Sequence, residues 1–366
     1  MAIVQHQLDR LAKTAQNKGL SALLIAPSED LVCVLGHAPM ICERFQGLFI
    51  LPSGDYFYIC NLLYEDEMAE RMDRDRIYPW FDGDGFLPTV KKVFTEKGLI
   101  GGKIGVSRAV RAFNTLAIAA DMDVAFVDAM TLIHEARIIK SEEELNGLRK
   151  AAQIADEAFV KTLPDIKPGM TEAELKTILT GNMIALGGKG PGGLIASGPN
   201  GALPHYMGTG RVLQKGDAIV MDFGCFYDNM KSDTTRTVFL GEPTEKQKQV
   251  YALVLEANLA GEKAAFDGAF IPDIDKAARD VIDAAGYGKY FTTRLGHGIG
   301  YLGHEAPDIK KINEQNLEKG MAFSIEPGIY LTDEFGVRIE DIVCINLKGE
   351  TEILNQSSKE LTVIPC

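Results

Sequence analysis

Two aspartates lie in apolar surroundings in the second half of the chain. Asp222 interrupts the apolar run AIVMDFG, and Asp233 follows eleven residues later at the start of a returning strand, DTTRTVFL. A buried carboxylate without a partner is costly, so each should be neutralised by a cation or by hydrogen bonds. A turn-capping or salt-bridged aspartate would meet the same requirement. The pair therefore indicates either a metal site or a structural role.

A second hairpin repeats this pattern with glutamates. The segment MAFSIEPGIYL contains Glu326, and GVRIEDIVCI contains Glu340 fourteen residues later. Arg338 lies two residues before Glu340, so on a strand the two side chains share a face. A structural pair between Arg338 and Glu340 would explain Glu340, but it would leave Glu326 unexplained.

Histidines are rare beyond residue 140, and each lies in a glycine-rich or proline-flanked stretch. His297 and His304 belong to RLGHGIGYLGHEAP, and His205 belongs to ASGPNGALPHY. Glycines on both sides of His297 suit a tight backbone close to a ligand. A single histidine is more often a core or surface residue than a ligand. The composition of these stretches favours a functional role here.

Four carboxylates and one histidine form a ligand set for a pair of hard or borderline divalent ions, such as manganese, cobalt or zinc. Two such ions ~3.5–4 Å apart can activate a water molecule and polarise a carbonyl group. No thiolate belongs to the set, which argues against a cysteine-type structural zinc site. The candidate ligands are Asp222, Asp233, His297, Glu326 and Glu340.

The ordered motifs D-x10-D, GHGIG-x3-HE, SIEPG and VRIED resemble those of the pita-bread metallopeptidases. That family groups methionine aminopeptidase, aminopeptidase P and prolidase with the metal-free creatinases. The motifs cover roughly residues 195–345. The first third of the chain lacks sharp motifs, but it resembles the additional N-terminal domain of prolidases, aminopeptidases P and creatinases in size and α/β character.

The resemblance implies a role for each candidate ligand. It implies that Asp222 chelates one ion and that Asp233 and Glu340 bridge both ions. It also implies that His297 and Glu326 complete the shell of the second ion. All five positions are occupied in this sequence, which argues against a creatinase-type protein and against a non-catalytic binding protein of the same fold.

The resemblance also implies catalytic residues around the metals. Glu326 corresponds to the residue that handles the proton of the attacking water. His205 and His304 correspond to two histidines that are not ligands and that orient the substrate and stabilise the tetrahedral intermediate. Arg338 resembles an arginine of proline-specific members that pairs with a substrate carboxylate or with a ligand.

The expected activity is metal-assisted hydrolysis of Xaa-Pro bonds by two divalent ions (Mn, Co or Zn). The substrate is a small peptide with proline after the scissile bond, and a Xaa-Pro dipeptidase (prolidase) is placed ahead of an aminopeptidase P that acts on longer peptides. This specificity is an analogy to the family. Two alternatives stay open: a hydrolase or lyase that acts on a small metabolite, and an interaction module without activity.

The elements that must position these residues change in type along the chain. Strand patterns at 21–27, 47–52, 56–60, 76–80, 103–107 and 124–129 alternate with helical ones, which predicts a small α/β domain with a mixed sheet over residues 1–133. Residues 134–366 show capping boxes followed by helices, and strand pairs at 217–226 with 232–240 and 321–330 with 336–347. This second part should be a pita-bread domain of helices packed on antiparallel sheet, so the predicted class is α+β.

Composition narrows the partners and the compartment. The net charge of -13 disfavours nucleic acid and anionic membrane surfaces, which require basic patches. No window approaches the roughly 20 apolar residues of a membrane span, and the first charged residues come too early for a signal peptide. The six cysteines form no CxxC pair and are expected to be reduced thiols. A cytoplasmic protein is expected, and the resemblance implies a homodimer.

Overall fold

The computed structural model describes residues 4–208 and 210–366, and it divides the chain into two compact units. The first unit ends at Arg137, and the second begins at Ile138. Each unit has its own hydrophobic core. None of the helices formed by the described residues combines the length and the apolar character that a membrane span needs.

The first unit alternates helices and strands. Its elements are α1 (Gln5–Asn17), β1 (Ala22–Ile25), α2 (Glu29–Leu35), β2 (Gly47–Ile50), β3 (Tyr56–Asn61), α3 (Glu65–Ala69), β4 (Ile77–Trp80), α4 (Leu87–Glu96), β5 (Lys103–Val106), α5 (Ala112–Asp121), β6 (Ala125–Asp128) and α6 (Met130–Ile138). All six strands that the sequence predicts for this part are present. The predicted domain boundary after residue 133 falls inside α6.

The six strands form one mixed sheet in the order β4-β3-β2-β1-β5-β6, in which β2 runs antiparallel to both of its neighbours. Alternate residues of β1 enter different cores, since Leu23 and Ile25 pack with α1 and α2 while Ala22 and Leu24 pack with α4 and α5. Side chains of successive strand residues point to opposite faces. Helices therefore cover both faces of this sheet.

The second unit contains four helices and twelve strands among its described residues. They are α7 (Glu142–Thr162), α8 (Glu172–Ala185), β7 (Lys189–Ser197), β8 (Ala218–Tyr227), β9 (Met230–Lys231), β10 (Thr234–Leu240), α9 (Glu245–Ala264), α10 (Ile271–Ala284), β11 (Gly296–Gly298), β12 (Glu305–Ile309), β13 (Ala322–Ile325), β14 (Gly328–Leu331), β15 (Phe335–Arg338), β16 (Asp341–Ile345), β17 (Thr351–Ile353) and β18 (Thr362–Ile364). The capping boxes predicted at Ser141, Thr171 and Thr244 begin α7, α8 and α9.

Two larger sheets and one two-stranded ribbon make up the β layer of this unit. The sheets have the strand orders β18-β10-β8-β7 and β12-β11-β13-β16-β17, and the ribbon is β14-β15. All described pairs here are antiparallel except β10 with β18, which are parallel. Helices on largely antiparallel sheet confirm the predicted α+β class, and the parallel pair is an addition that the sequence pattern did not reveal.

The second predicted hairpin is not continuous. Its outer halves, β13 and β16, pair within one sheet, whereas its inner halves, β14 and β15, form the separate ribbon. The interruption lies at Glu326-Pro327 on one side and at residues 339–340 on the other. Proline cannot donate a backbone hydrogen bond to a strand ladder, which explains why pairing stops there.

Candidate metal centre

The first two candidate ligands are brought together by the pairing of β8 with β10. Asp222 lies in the middle of β8 opposite Thr235, and Asp233 immediately precedes β10. Most of β8 and all of β10 are buried, so both carboxylates lie beside largely buried strand residues. Carboxylate oxygens of Asp222, Asp233 and Glu340 lie within 4.8 Å of one another.

The two glutamates lie where the second hairpin changes from one sheet to another. Glu326 follows β13, and Glu340 lies between β15 and β16. The backbone N–H of Glu340 donates to the carbonyl of Thr235 at 3.1 Å, and the Thr235 hydroxyl donates to Glu340 Oε2 at 2.7 Å. The break in the ladder therefore places both glutamates beside the aspartates of the first sheet.

His297 lies on β11, where the glycines on either side allow very close backbone contacts. A Cβ atom on Gly296 would lie 1.8 Å from the Ser324 carbonyl oxygen, and one on Gly298 would lie 2.1 Å from that of Ala306. No side chain larger than hydrogen fits at either position. The tight backbone that the sequence predicted around His297 is therefore present.

The ring of His297 is oriented by a backbone carbonyl. Its Nδ1 lies 3.1 Å from the Gly298 oxygen, which can only accept, so Nδ1 carries a proton. Its Nε2 faces carboxylates, at 3.1 Å from Glu326 Oε1 and 4.0 Å from Asp233 Oδ2 and Glu340 Oε1. A lone pair aimed at three carboxylates requires either a second ring proton or a cation between them.

The electrostatics of the carboxylates also call for cations. Burial and the neighbouring charges of Glu340 and Asp222 raise the pKa of Asp233 well above its usual value. Burial and the charges of Glu326 and Asp222 raise the pKa of Glu340 to about 8. Buried Glu340 Oε1 has no hydrogen-bond partner among the described residues. Carboxylate oxygens and one imidazole nitrogen, with an excess of negative charge, form a site that fits divalent metal ions.

These ligands line one cavity together with the other predicted site residues. Its volume is about 550 Å³, and its lining is Pro204, His205, Asp222, Asp233, Thr293, Arg294, His297, His304, Lys310, Glu326, Tyr330, Arg338 and Glu340. The structure therefore brings all eight sequence-predicted site residues to one place. The ring centroids of His297 and His304 are 4.0 Å apart, and His304 also lies within ligand distance of Asp233 and His297.

Arg338 does not pair with Glu340, so the structural pair considered from the sequence is wrong. Its guanidinium donates to Asp222 Oδ2 at 2.6 Å, to Thr235 Oγ1 at 3.0 Å and to the Tyr330 hydroxyl at 3.0 Å. The side chain is only 4% exposed. Arg338 therefore orients a candidate ligand and has little surface left for a substrate.

Sequence reasoning missed several residues around the site. Thr235 lies two residues after Asp233, so the strand alternation could have placed both on one face. Arg294 and Lys310 line the cavity and flank Asp308, at 2.9 Å and 2.6 Å from its two oxygens. No pattern in the sequence marks this cluster, because Arg294 precedes β11 whereas Asp308 lies near the end of β12 and Lys310 directly follows it.

A comparison with protein-family models assigns the chain. Residues 146–346, more than half of the chain, match the model described as Metallopeptidase family M24. The chain belongs to metallopeptidase family M24. Residues 7–139 match the Creatinase/Prolidase N-terminal domain. Membership of M24 confirms the resemblance drawn from the motifs, the pita-bread fold and the assignment of the protein as a peptidase.

Relatives extend over the whole length of this M24 chain. The Xaa-Pro dipeptidase of Pyrococcus horikoshii is 33% identical over 368 residues, which covers 99% of this chain and 100% of that protein. The structure of the Xaa-Pro dipeptidase from Bacillus anthracis has a TM-score of 0.89 at 31% identity, covering 98% of this chain and 99% of that one. That of the X-Pro aminopeptidase from Thermotoga maritima has a TM-score of 0.86 at 30% identity, covering 100% of both.

Proposed function

We propose that the protein is a Xaa-Pro dipeptidase that uses two divalent metal ions. The observation that carries the proposal is the convergence of four carboxylates and His297 in one cavity, with their charges uncompensated by cationic side chains alone. The relatives named Xaa-Pro dipeptidase support the substrate class. Hydrolysis would release the N-terminal residue and free proline.

The proposed ligand roles are supported by the way the candidate residues group together in space. Among the four carboxylates, Asp233 and Glu340 each belong to two of the candidate ligand groups, whereas Asp222 and Glu326 each belong to one, which supports Asp233 and Glu340 as the bridging carboxylates. Asp222 would complete the shell of one ion, and His297 with Glu326 that of the other. Oxygen and imidazole donors accept Mn²⁺, Co²⁺ and Zn²⁺. When bound, such ions lower the pKa of a water molecule and polarise a carbonyl group.

The remaining side chains act on protons and on the carbonyl oxygen. Glu326 accepts the proton of the attacking water and passes it to the proline nitrogen as that bond breaks. Burial, and then the charge on His297, lower the pKa of His304 to about 4. His304 is therefore neutral near pH 7, and with His205 it can donate an N–H to the oxygen that gains negative charge.

The charges at the cavity wall favour a dipeptide over a longer substrate. A dipeptide carries a free carboxylate next to its proline, whereas a longer peptide has a neutral amide there. Arg294 and Lys310 line the cavity, and the single carboxylate of Asp308 between them leaves one positive charge over. This excess positive charge suits the free carboxylate, because a partly exposed ion pair of this kind contributes little stability and can exchange partners at low cost.

A panel of substrates tests the proposal. Purified protein loaded with Mn²⁺ or Co²⁺ is assayed on Ala-Pro, Met-Pro and Ala-Pro-Ala, with the Asp233→Ala variant as the inactive control. We expect both dipeptides to be cleaved with a larger kcat/KM than the tripeptide. Faster cleavage of Ala-Pro-Ala would instead identify an aminopeptidase P. No cleavage of any of the three would refute the Xaa-Pro assignment.

We further propose a cytoplasmic homodimer. None of the six cysteines, all of which lie among the described residues, forms a disulfide bond, which agrees with a reducing compartment. Light scattering coupled to gel filtration measures the mass of the particle in solution. A mass near that of one 39.9 kDa chain would contradict the dimer.

A further inference from the structure

The segment of residues 299–305, here called the His304 loop, connects β11 to β12 and carries a proposed catalytic histidine. The ring of His304 is exposed to the cavity and hydrogen-bonds to none of the described residues. Its one described ring contact is with His297. The backbone of the loop therefore sets where the imidazole lies, and whatever holds that backbone also holds the histidine.

A buried ion pair holds the end of the loop. Lys140 Nζ donates to Glu305 Oε2 at 3.2 Å, and the two side chains are 0% and 3% exposed. The other oxygen of Glu305 accepts from the backbone N–H of Leu302 at 2.9 Å, which closes the loop on itself. Lys140 itself is fixed, because its backbone N–H donates to the Gly320 carbonyl at 2.7 Å.

A second contact comes from the first turn of α7. The Tyr301 hydroxyl donates to Glu144 Oε1 at 2.7 Å. Glu144 Oε2 accepts from the backbone N–H of Ser141 at 2.6 Å, as the reciprocal half of the capping box. One glutamate thus begins the helix and restrains the loop. The position of the Glu144 side chain is fixed by its capping-box bond to Ser141 at the start of α7.

The middle of the loop packs against the same residues. A Cβ atom on Gly300 would lie 2.7 Å from Lys140 Cε and 2.9 Å from Glu305 Oε2, so the backbone touches the ion pair directly. The Gly300 carbonyl accepts from the backbone N–H of Lys231 at 2.7 Å. Residues 140–144, near the start of the second unit, therefore contact the loop at three residues, Gly300, Tyr301 and Glu305.

We propose that Lys140 and Glu144 are positioning residues for His304. They touch neither the cavity nor the candidate ligands, and they act by fixing the His304 loop through Glu305 and Tyr301. The proposal rests on the dipeptidase activity proposed above, in which His304 donates to the carbonyl oxygen. A displacement of about 1 Å at such a donor can lower a rate by about 100-fold.

A double-mutant cycle with Tyr301→Phe tests the inference with the smallest change. This variant removes only the Tyr301 hydroxyl, which donates a hydrogen bond to Glu144. We expect kcat on Ala-Pro to fall by about 3- to 10-fold and the metal content to stay unchanged. In a His304→Ala background the same substitution should have no further effect on kcat, because the group being positioned is gone. Tyr58→Phe is the matched control, since it removes another buried hydroxyl, bonded to Gln46 Oε1 in the first unit.

The ion pair is tested by Lys140→Met and by Lys140→Arg. The methionine variant should lose about 10- to 100-fold in kcat, and the arginine variant should recover part of that loss by restoring the charge opposite Glu305. A crystal structure of the methionine variant should show His304 displaced relative to His297, with the five candidate ligands in place. That structure shows whether Lys140 positions His304 even if the variant is too inactive for a double-mutant cycle.

The outcomes separate this inference from the proposed function. An inactive wild-type protein refutes both. An active wild-type protein in which Tyr301→Phe lowers kcat equally with and without His304 refutes the positioning role alone. An undisplaced His304 ring in Lys140→Met, or a kcat of Tyr301→Phe equal to that of wild type, also overturns it.

Discussion

The carboxylates of the candidate metal centre differ in how far cationic side chains neutralise their charges. Arg338 neutralises Asp222, and the pKa of Glu326 is lowered because the bond from His297 and the charges of His297 and Arg338 outweigh the effect of burial. Among the residues that the structure describes, no cationic side chain donates a hydrogen bond to the carboxylate of Asp233 or Glu340, whose pKa values are raised. These two residues therefore depend most on bound ions.

Removal of either bridging carboxylate should abolish activity. Asp233→Ala or Glu340→Ala should lower kcat/KM by about 1000-fold or more, because each is expected to contact both ions, and the bound metal per chain should fall. Elemental analysis and Ala-Pro turnover measure the two effects. The control is Glu334→Ala, which removes an exposed carboxylate paired with Lys246. Near-normal turnover in either bridging variant would refute the assignment.

His304→Ala should separate catalysis from metal binding. We expect kcat to fall by about 100-fold, the typical cost of losing a donor to a developing oxyanion, while two ions per chain remain bound. His297→Ala is the paired variant, in which metal should be lost. Loss of metal from His304→Ala would show instead that His304 is a ligand, which its distance from Asp233 and His297 also permits.

At the scale of the elements, the candidate site depends on places where regular structure is interrupted. Glu326 and Glu340 lie at the break between β13-β16 and β14-β15, and Asp233 lies between β9 and β10. In a continuous strand these residues would pair with the neighbouring strand, and successive side chains would point to opposite faces of the sheet. The breaks turn consecutive ligands toward one cavity.

The strand glycines around His297 should be intolerant of any side chain. Gly296→Ala would place a Cβ 1.8 Å from a backbone oxygen, and backbone cannot move aside as a flexible side chain does. We expect a loss of about 3 kcal/mol or more in the free energy of unfolding, measured by urea denaturation. Gly192→Ala, on β7 with no atom within 4 Å of the added Cβ, is the control. A Gly296→Ala variant as stable as Gly192→Ala would contradict the structure.

The sequence predicted the strands and the capping boxes, because period and caps are local signals, and its resemblance to a known metallopeptidase family implied that the candidate ligands form one site. It could not reveal that the second hairpin changes sheet, since periodicity does not say which strand a residue pairs with. Spacing left a structural pair of Arg338 with Glu340 open, whereas Arg338 donates to the candidate ligand Asp222, 116 residues away. The Lys140–Glu305 pair, 165 residues apart, was likewise beyond any local pattern.

At the scale of the whole molecule, the metal ions should determine how stability depends on pH. In the metal-free protein the pKa of Glu340 is raised from 4.5 to about 8 by burial and by the charges of Glu326 and Asp222. A folded state with a raised pKa binds its proton more tightly than the unfolded chain. The stabilisation is therefore complete below pH 4.5 and is lost as the pH rises through the folded-state value.

The free energy of unfolding of the metal-free protein should consequently fall between about pH 5 and pH 8, by roughly 1.4 kcal/mol per pH unit for each proton released. Bound Mn²⁺ replaces the protons and stabilises the folded state by mass action, so the loaded protein should lose little over this range. Urea unfolding with EDTA or with Mn²⁺ at several pH values measures both slopes. Glu340→Gln, which cannot ionise, should flatten the metal-free slope. A metal-free stability that rises from pH 5 to pH 8 would contradict the clustering of carboxylates described here.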